Sequence, residues 1–130
     1  MTNEELKKGN FLLQNFMGWE LINIKEDNDE HLDFWVFKNR ETAELDSGYL
    51  DNGYDAIFYN KDSVKEFHKS WPILMSVVEK IETMNYGVKQ CRKVVEIYVN
   101  STKENLIHQK KSSRKKSLWY ALVEFVIITN

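Results

Sequence analysis

Apolar residues recur along this chain with two periods, three to four residues in some stretches and two in others. The longer period opens the chain. Between Thr2 and Met17, Leu6, Leu13, Phe16 and Met17 form one stripe with Leu12 at its edge, which predicts a helix. Thr2 and Glu5 have the spacing of a capping box, and Gly18 is a natural C-terminal stop. The same period returns from Ser70 to Met84. Ser70 suits an N-cap, Pro72 is tolerated only in a first turn, and Leu74, Val77, Val78 and Ile81 follow with helical spacing, with Met84 near the end. Tyr86-Gly87 is expected to end that helix. A third helix is expected from Ser113 to Thr129. Val123, Phe125, Val126, Ile127 and Ile128 also favour strand, but the length of the segment favours helix.

The two-residue period marks the strands. Trp19 to Lys25 and Leu32 to Lys38 flank the polar turn Glu26-Asp27-Asn28-Asp29-Glu30, which suits a hairpin. Leu32, Phe34 and Val36 fall on one face of the second strand, and Trp35 and Phe37 on the other. A strand apolar on both faces is covered twice, or one face is an interface. Asp46-Ser47-Gly48 marks a loop, and Asp51-Asn52-Gly53 suits a small hairpin into Tyr54 to Tyr59. Val88 to Cys91 and Val94 to Val99 read as strands joined tightly through Arg92-Lys93. Residues 100–112 are polar and read as loop.

The elements add up to an α+β chain, one domain over residues 1–130. It is mostly antiparallel sheet with three helices in the order α-β-β-(β)-α-β-β-α, sandwich-like. With 42% apolar and 13% aromatic residues among 130, a real core is within reach and wholesale disorder is not expected. One cysteine excludes an intramolecular disulfide framework and a Cys-rich zinc site, and Cys91 reads as a buried, inert thiol. No signal-peptide core begins the chain. The longest nearly apolar run, Leu118 to Ile128, is eleven residues long and too short to span a bilayer. A cytoplasmic location in a bacterial host cell, with no membrane contact, is the expectation.

Charge changes the picture more than composition does. The net charge of −2 hides opposed halves: residues 1–60 carry 5 Lys+Arg and 13 Asp+Glu, net −8, and residues 61–130 carry 13 and 7, net +6. Lys103, Lys110, Lys111, Arg114, Lys115 and Lys116 lie within fourteen residues against one acid, Glu104. Cations at the start of a helix oppose its macrodipole, so helix stability does not explain them. A solvated surface run does, and so does an anion site for RNA, DNA or an acidic protein face. Trp119, Tyr120, Tyr49, Tyr54 and Tyr59 are aromatics that could stack on bases, although core packing is their commoner use.

Signals for chemistry are sparse. His31, His68 and His108 stand 37 and 40 residues apart, without the close spacing of a metal motif, and no metal or cofactor is expected. The acidic run at 26–30 lacks the glycine and closing glutamate of a calcium loop. There is no phosphate-cradling glycine loop and no nucleophile elbow. No catalytic residue is assigned. His68, just ahead of the second helix, is expected to hold that junction by a hydrogen bond. A hydrolase using His68 with a nearby carboxylate is a further alternative.

Three blocks carry a family resemblance. Met17-Gly18-Trp19-Glu20, then Phe67-His68-Lys69-Ser70-Trp71 running into Leu74 to Glu82, and finally Ala121-Leu122-Val123-Glu124-Phe125-Val126 resemble, in order, a family of small phage and prophage proteins. Its members are common in the Bacteroides and Flavobacterium branch of bacteria. Ser76 stands where the family has proline, and the resemblance covers neither residues 25–60 nor the basic loop. It implies an α/β/α-sandwich phage domain and no reaction, so no functional residue transfers.

The expectation is a phage or prophage accessory protein that works by binding. Its partner would be a host protein or a protein–RNA complex, as for an inhibitor of a host defence nuclease of the anti-CRISPR kind. Direct nucleic-acid binding through residues 103–116 is the alternative. Trp35, Phe37, Trp119 and Tyr120 are the expected interface. The apolar surplus of the last helix (Trp119, Val123, Val126 and Ile127 beyond one stripe) suits either burial on two sides or a homodimer.

Overall fold

The computed structural model describes residues 2–25, 33–46 and 59–129. Among these residues the elements run α1 (Asn3–Phe16), β1 (Trp19–Lys25), β2 (Asp33–Asn39), β3 (Leu45–Asp46), a short 3₁₀ turn (Phe67–Lys69), α2 (Trp71–Thr83), β4 (Tyr86–Cys91), β5 (Val94–Val99), β6 (Asn105–Lys110) and α3 (Arg114–Thr129). The fold class is α+β, with two three-stranded antiparallel sheets, β1-β2-β3 and β4-β5-β6. The chain packs as two compact units. Unit 1 holds residues 1–13 and 65–130, and unit 2 holds residues 14–64.

In unit 2, β1 and β2 pair from Trp19↔Asn39 to Lys25↔Asp33. Gly18 leaves the helix at φ 83°, a left-handed value that glycine adopts without cost. Asn39 ties this corner. Its side-chain amide donates to the Met17 carbonyl at 3.0 Å, and its Oδ1 accepts from the Glu41 and Thr42 N–H groups. Val36 and Phe37 point to opposite faces of β2 and both are buried, so that strand is covered twice. The Tyr59 ring meets Phe37 edge-on at 4.6 Å. The expected turn at 26–30, Leu32, His31, Tyr49, Tyr54 and residues 51–58 of the expected hairpin lie outside the described residues.

In unit 1 the expected stripe of α2 is the observed buried face: Leu74, Val77, Val78 and Ile81 are at most 2% exposed. Each fully buried aliphatic side chain contributes about 1.5–3 kcal/mol. Ser70 is the N-cap by position, without a side-chain cap bond. Gly87 does not end this helix. Asn85 does, at φ 74°, and Gly87 belongs to β4.

The segment expected to be a polar loop, 100–112, contains β6. The strand pairs antiparallel with β5 from Val94↔Lys110 to Tyr98↔Asn105. Only Ile107 of its six residues is buried, so its alternation is faint in the sequence. α2 packs on β4, and α3 packs on β5 and β6. Val95, Ile97 and Ile107 form the core side of this sheet.

α3 is buried on more than one side. Leu118, Ala121, Leu122 and Phe125 are fully buried, and Trp119 and Val126 are 1% exposed. Trp119 faces α1, where a Cβ on Gly9 would collide with its ring. Its indole N–H donates to Asn10 Oδ1 at 2.8 Å. Ile127 and Ile128 remain exposed at the end of the helix. Among the described residues, no helix is long and apolar enough to cross a membrane.

Candidate functional site

Alternation along β5 sends Val95 and Ile97 to the core and Val94, Glu96 and Tyr98 outward. Cross-strand pairing then builds three outward rows. They are Gly87–Tyr98–Asn105, Lys89–Glu96–His108 and Cys91–Val94–Lys110. Cys91 is therefore exposed and not the buried thiol expected, because its place in the alternation faces away from the helices. An open depression of about 690 Å³ covers the last two rows and the turn beyond them. Lys89, Arg92, Lys93, Glu96, His108 and Lys110 line it.

One buried hydroxyl gathers the basic segments. Ser117 Oγ donates to the Lys93 carbonyl at 2.5 Å, in the β4–β5 turn. It accepts from the Lys111 N–H at 2.8 Å, in the link between β6 and α3. Ser113 Oγ caps α3 by accepting from the Lys116 N–H at 3.2 Å. The β4–β5 turn, the end of β6 and the start of α3 thus converge on one side chain with no exposed surface.

The six cations singled out in the sequence do not stay together. Lys103 sits in the β5–β6 turn, at the far end of β6 from Lys110. The six residues of β6 span about 20 Å at a strand's rise. The Lys103 ammonium lies 5.5 Å from the centre of the Tyr98 ring. Three of the others make structural contacts. Lys111 lies over Tyr120 at 4.5 Å, the Arg114 guanidinium lies over Trp71 at 5.4 Å, and Lys115 Nζ donates to the Lys69 carbonyl at 2.8 Å. Lys110 and Lys116 remain. Lys89, Arg92 and Lys93, which stand apart from the basic run in sequence, join Lys110. Among the described residues, none of Lys89, Arg92, Lys93 and Lys110 pairs with a carboxylate. The one carboxylate in the depression, Glu96, already accepts from Asn105 at 3.3 Å and contacts His108 Nδ1 at 3.1 Å.

The aromatic candidates divide in the same way. Trp119 and Phe37 are buried, so neither is open to a partner. Trp35 is half-buried and bridges to Tyr59. Tyr120 is half-buried and donates to Glu5 Oε1 at 3.0 Å. Partial burial, then that carboxylate, push its phenol above the usual range.

His68 holds the junction ahead of α2, as expected. An indole N–H can only donate, so Trp119 fixes Asn10 with its oxygen toward the indole. The Asn10 amide nitrogen then faces His68 Nδ1 at 2.9 Å and donates to it. His68 is therefore neutral and carries its proton on Nε2. Burial lowers its pKa, Glu66 works against that, and Lys69 and Lys115 add to it. Glu66, the adjacent carboxylate, pairs with Lys69 at 2.6 Å. Among the described residues, no three His, Cys, Asp or Glu side chains group as metal ligands.

No family model, no curated protein and no solved structure matches this chain.

Proposed function

We propose that this chain acts by binding and not by catalysis, and that unit 1 grips a nucleic-acid backbone with the basic end of sheet β4-β5-β6. The observation that carries this reading is the convergence of Arg92 and Lys93 with Lys110. These cations come from separate segments, meet at one strand end and pair with no carboxylate among the described residues. Such cations repel one another and gather counterions, and a polyanion relieves both. The charge of the unit agrees: 14 Lys+Arg against 8 Asp+Glu give unit 1 a net of +6. The test is charge reversal. Arg92→Glu, Lys93→Glu and Lys110→Glu together abolish binding to a labelled oligonucleotide, whereas Lys7→Glu on α1 leaves it. Equal affinity in the triple variant would overturn the reading.

A second reading sets the same surface in a phage or prophage accessory protein acting on host machinery in a bacterial cell, as an inhibitor of a defence nuclease would. Two things support it: the family resemblance, and the opposite charge of unit 2, where 4 Lys+Arg against 12 Asp+Glu give −8. Opposed charges suit a protein–nucleic-acid complex, which offers surfaces of both signs. Affinity capture from a host lysate separates the two readings. A protein partner retained after nuclease treatment supports the inhibitor, and loss of every partner supports direct binding.

A further inference from the structure

We propose that the bound nucleic acid is single-stranded and that it crosses the outer face of sheet β4-β5-β6, with bases stacking on Tyr98 and His108. This rests on the nucleic-acid reading above and adds the strand class and the track.

The face offers what a single strand needs and a duplex cannot use. Tyr98 faces outward beside Gly87, and a Cβ on Gly87 would collide with its ring, so the missing side chain lets the phenol lie down across the sheet. His108 stands in the next row of the same face and is 59% exposed. His108 and Tyr98, the latter once Lys103 moves from over its ring to a phosphate, give two flat π surfaces on one open sheet, which suit unpaired bases, whose faces are free; in a duplex those faces are stacked away. A duplex groove admits a helix or a two-stranded ribbon, and three strands backed by α2 and α3 are wider than either.

Charge brackets the same face. Lys103 marks the Tyr98 end, and Arg92, Lys93 and Lys110 mark the other, with Lys89 between. The separation of about 20 Å along β6 suits a short strand of about four nucleotides, the lower end of site sizes on small β folds. Lys103 is thereby explained as the far end of a track and not as a stray from the cluster. Glu96 in the middle row keeps phosphates off the centre of the face, and its oxygens retain lone pairs for a base amino group. Two of these terminal cations also share an uncommon backbone. Arg92 at φ 55° and Lys103 at φ 62° are left-handed, where glycine would cost less.

The test is fluorescence anisotropy at low salt with a labelled eight-nucleotide oligouridine, the same strand with abasic sites, and a labelled duplex of matched length. The intact strand binds at least tenfold tighter than the abasic strand and than the duplex. Tyr98→Ala weakens the intact strand about tenfold and leaves the abasic strand unchanged, while Tyr98→Phe keeps wild-type affinity. Should intact, abasic and duplex probes bind equally, with the Arg92, Lys93 and Lys110 reversal weakening all three, the single-strand track is wrong and the basic-end reading survives. Should that reversal weaken none of them, both are wrong. The abasic comparison needs no variant, so it decides the matter even if Tyr98→Ala misfolds.

Discussion

The Ser117 hydroxyl and the Lys93 carbonyl, 24 residues apart in sequence, meet at 2.5 Å beneath the basic end of the sheet. The same oxygen accepts from Lys111, so one small side chain sets the spacing of three charged segments. Basic residues repel each other, and holding them together requires uncharged groups below them that satisfy the backbone.

Ser117→Ala removes that hydroxyl and leaves the Lys93 carbonyl and the Lys111 N–H without their partner. Losing hydrogen bonds to these part-buried groups costs about 1 kcal/mol, readable as a lower urea midpoint. Oligonucleotide affinity falls as well, because the turn that carries Lys93 loses its register with the end of β6 that carries Lys110. A variant that keeps wild-type stability would show that the hydroxyl is not a structural tie.

Arg92→Gly separates stability from binding. Relief of a left-handed arginine stabilises the fold by up to about 1 kcal/mol, since a non-glycine residue there costs roughly 1–2 kcal/mol and glycine's freedom in the unfolded chain returns part of it. Affinity for the oligonucleotide drops in the same protein. A loss of stability with binding intact would contradict the role given to Arg92.

Gly9→Ala places a methyl group into the Trp119 ring. Overpacking of this kind costs about 1–3 kcal/mol, measured by chemical denaturation, and the near-ultraviolet signal of the indole changes with it. A silent substitution would mean that α1 is not held against Trp119.

His68 makes stability depend on pH, and the sign follows from its lowered pKa. The unfolded histidine, with an ordinary value near 6.5, binds a proton at a higher pH than the folded one does. The contribution is therefore complete above about pH 6.5 and is lost as pH falls through the lower folded value. Protonation at Nδ1 also breaks the bond from Asn10. Urea unfolding at pH 5.5 and pH 7.5 reads this slope, which shrinks in His68→Gln. A slope of the same size in that variant would assign the effect to other groups.

Strong apolar periodicity is legible in the chain, and α2 shows it best: Leu74, Val77, Val78 and Ile81 of its expected stripe are all buried. Where burial falls on few or polar residues, the pattern fails. β6 hides in the sequence because one buried residue, Ile107, is too little for a period of two. Without β6, nothing in the sequence puts Arg92 and Lys93 beside Lys110, so those two cations are missing from the expected set. The surplus apolar face of α3 is visible, but what covers Trp119 is not. On the side of α1, Gly9 and Asn10 lie against it, a residue without a side chain and a polar one, and neither counts in an apolar stripe. Cys91 defeats expectation for a related reason, since the face of a short strand is decided by its neighbours.

The most direct measurement is the salt dependence of affinity for the labelled oligouridine, in the wild-type chain and in the Arg92→Glu, Lys93→Glu, Lys110→Glu variant. Five phosphate contacts, through Lys89, Arg92, Lys93, Lys110 and Lys103, give a slope of log affinity on log salt of about −3.5 for a single strand. Grip by the basic strand end predicts a slope near that value for the wild type and no measurable binding for the variant. A wild-type slope near zero, or a variant that binds with the wild-type slope, would contradict it.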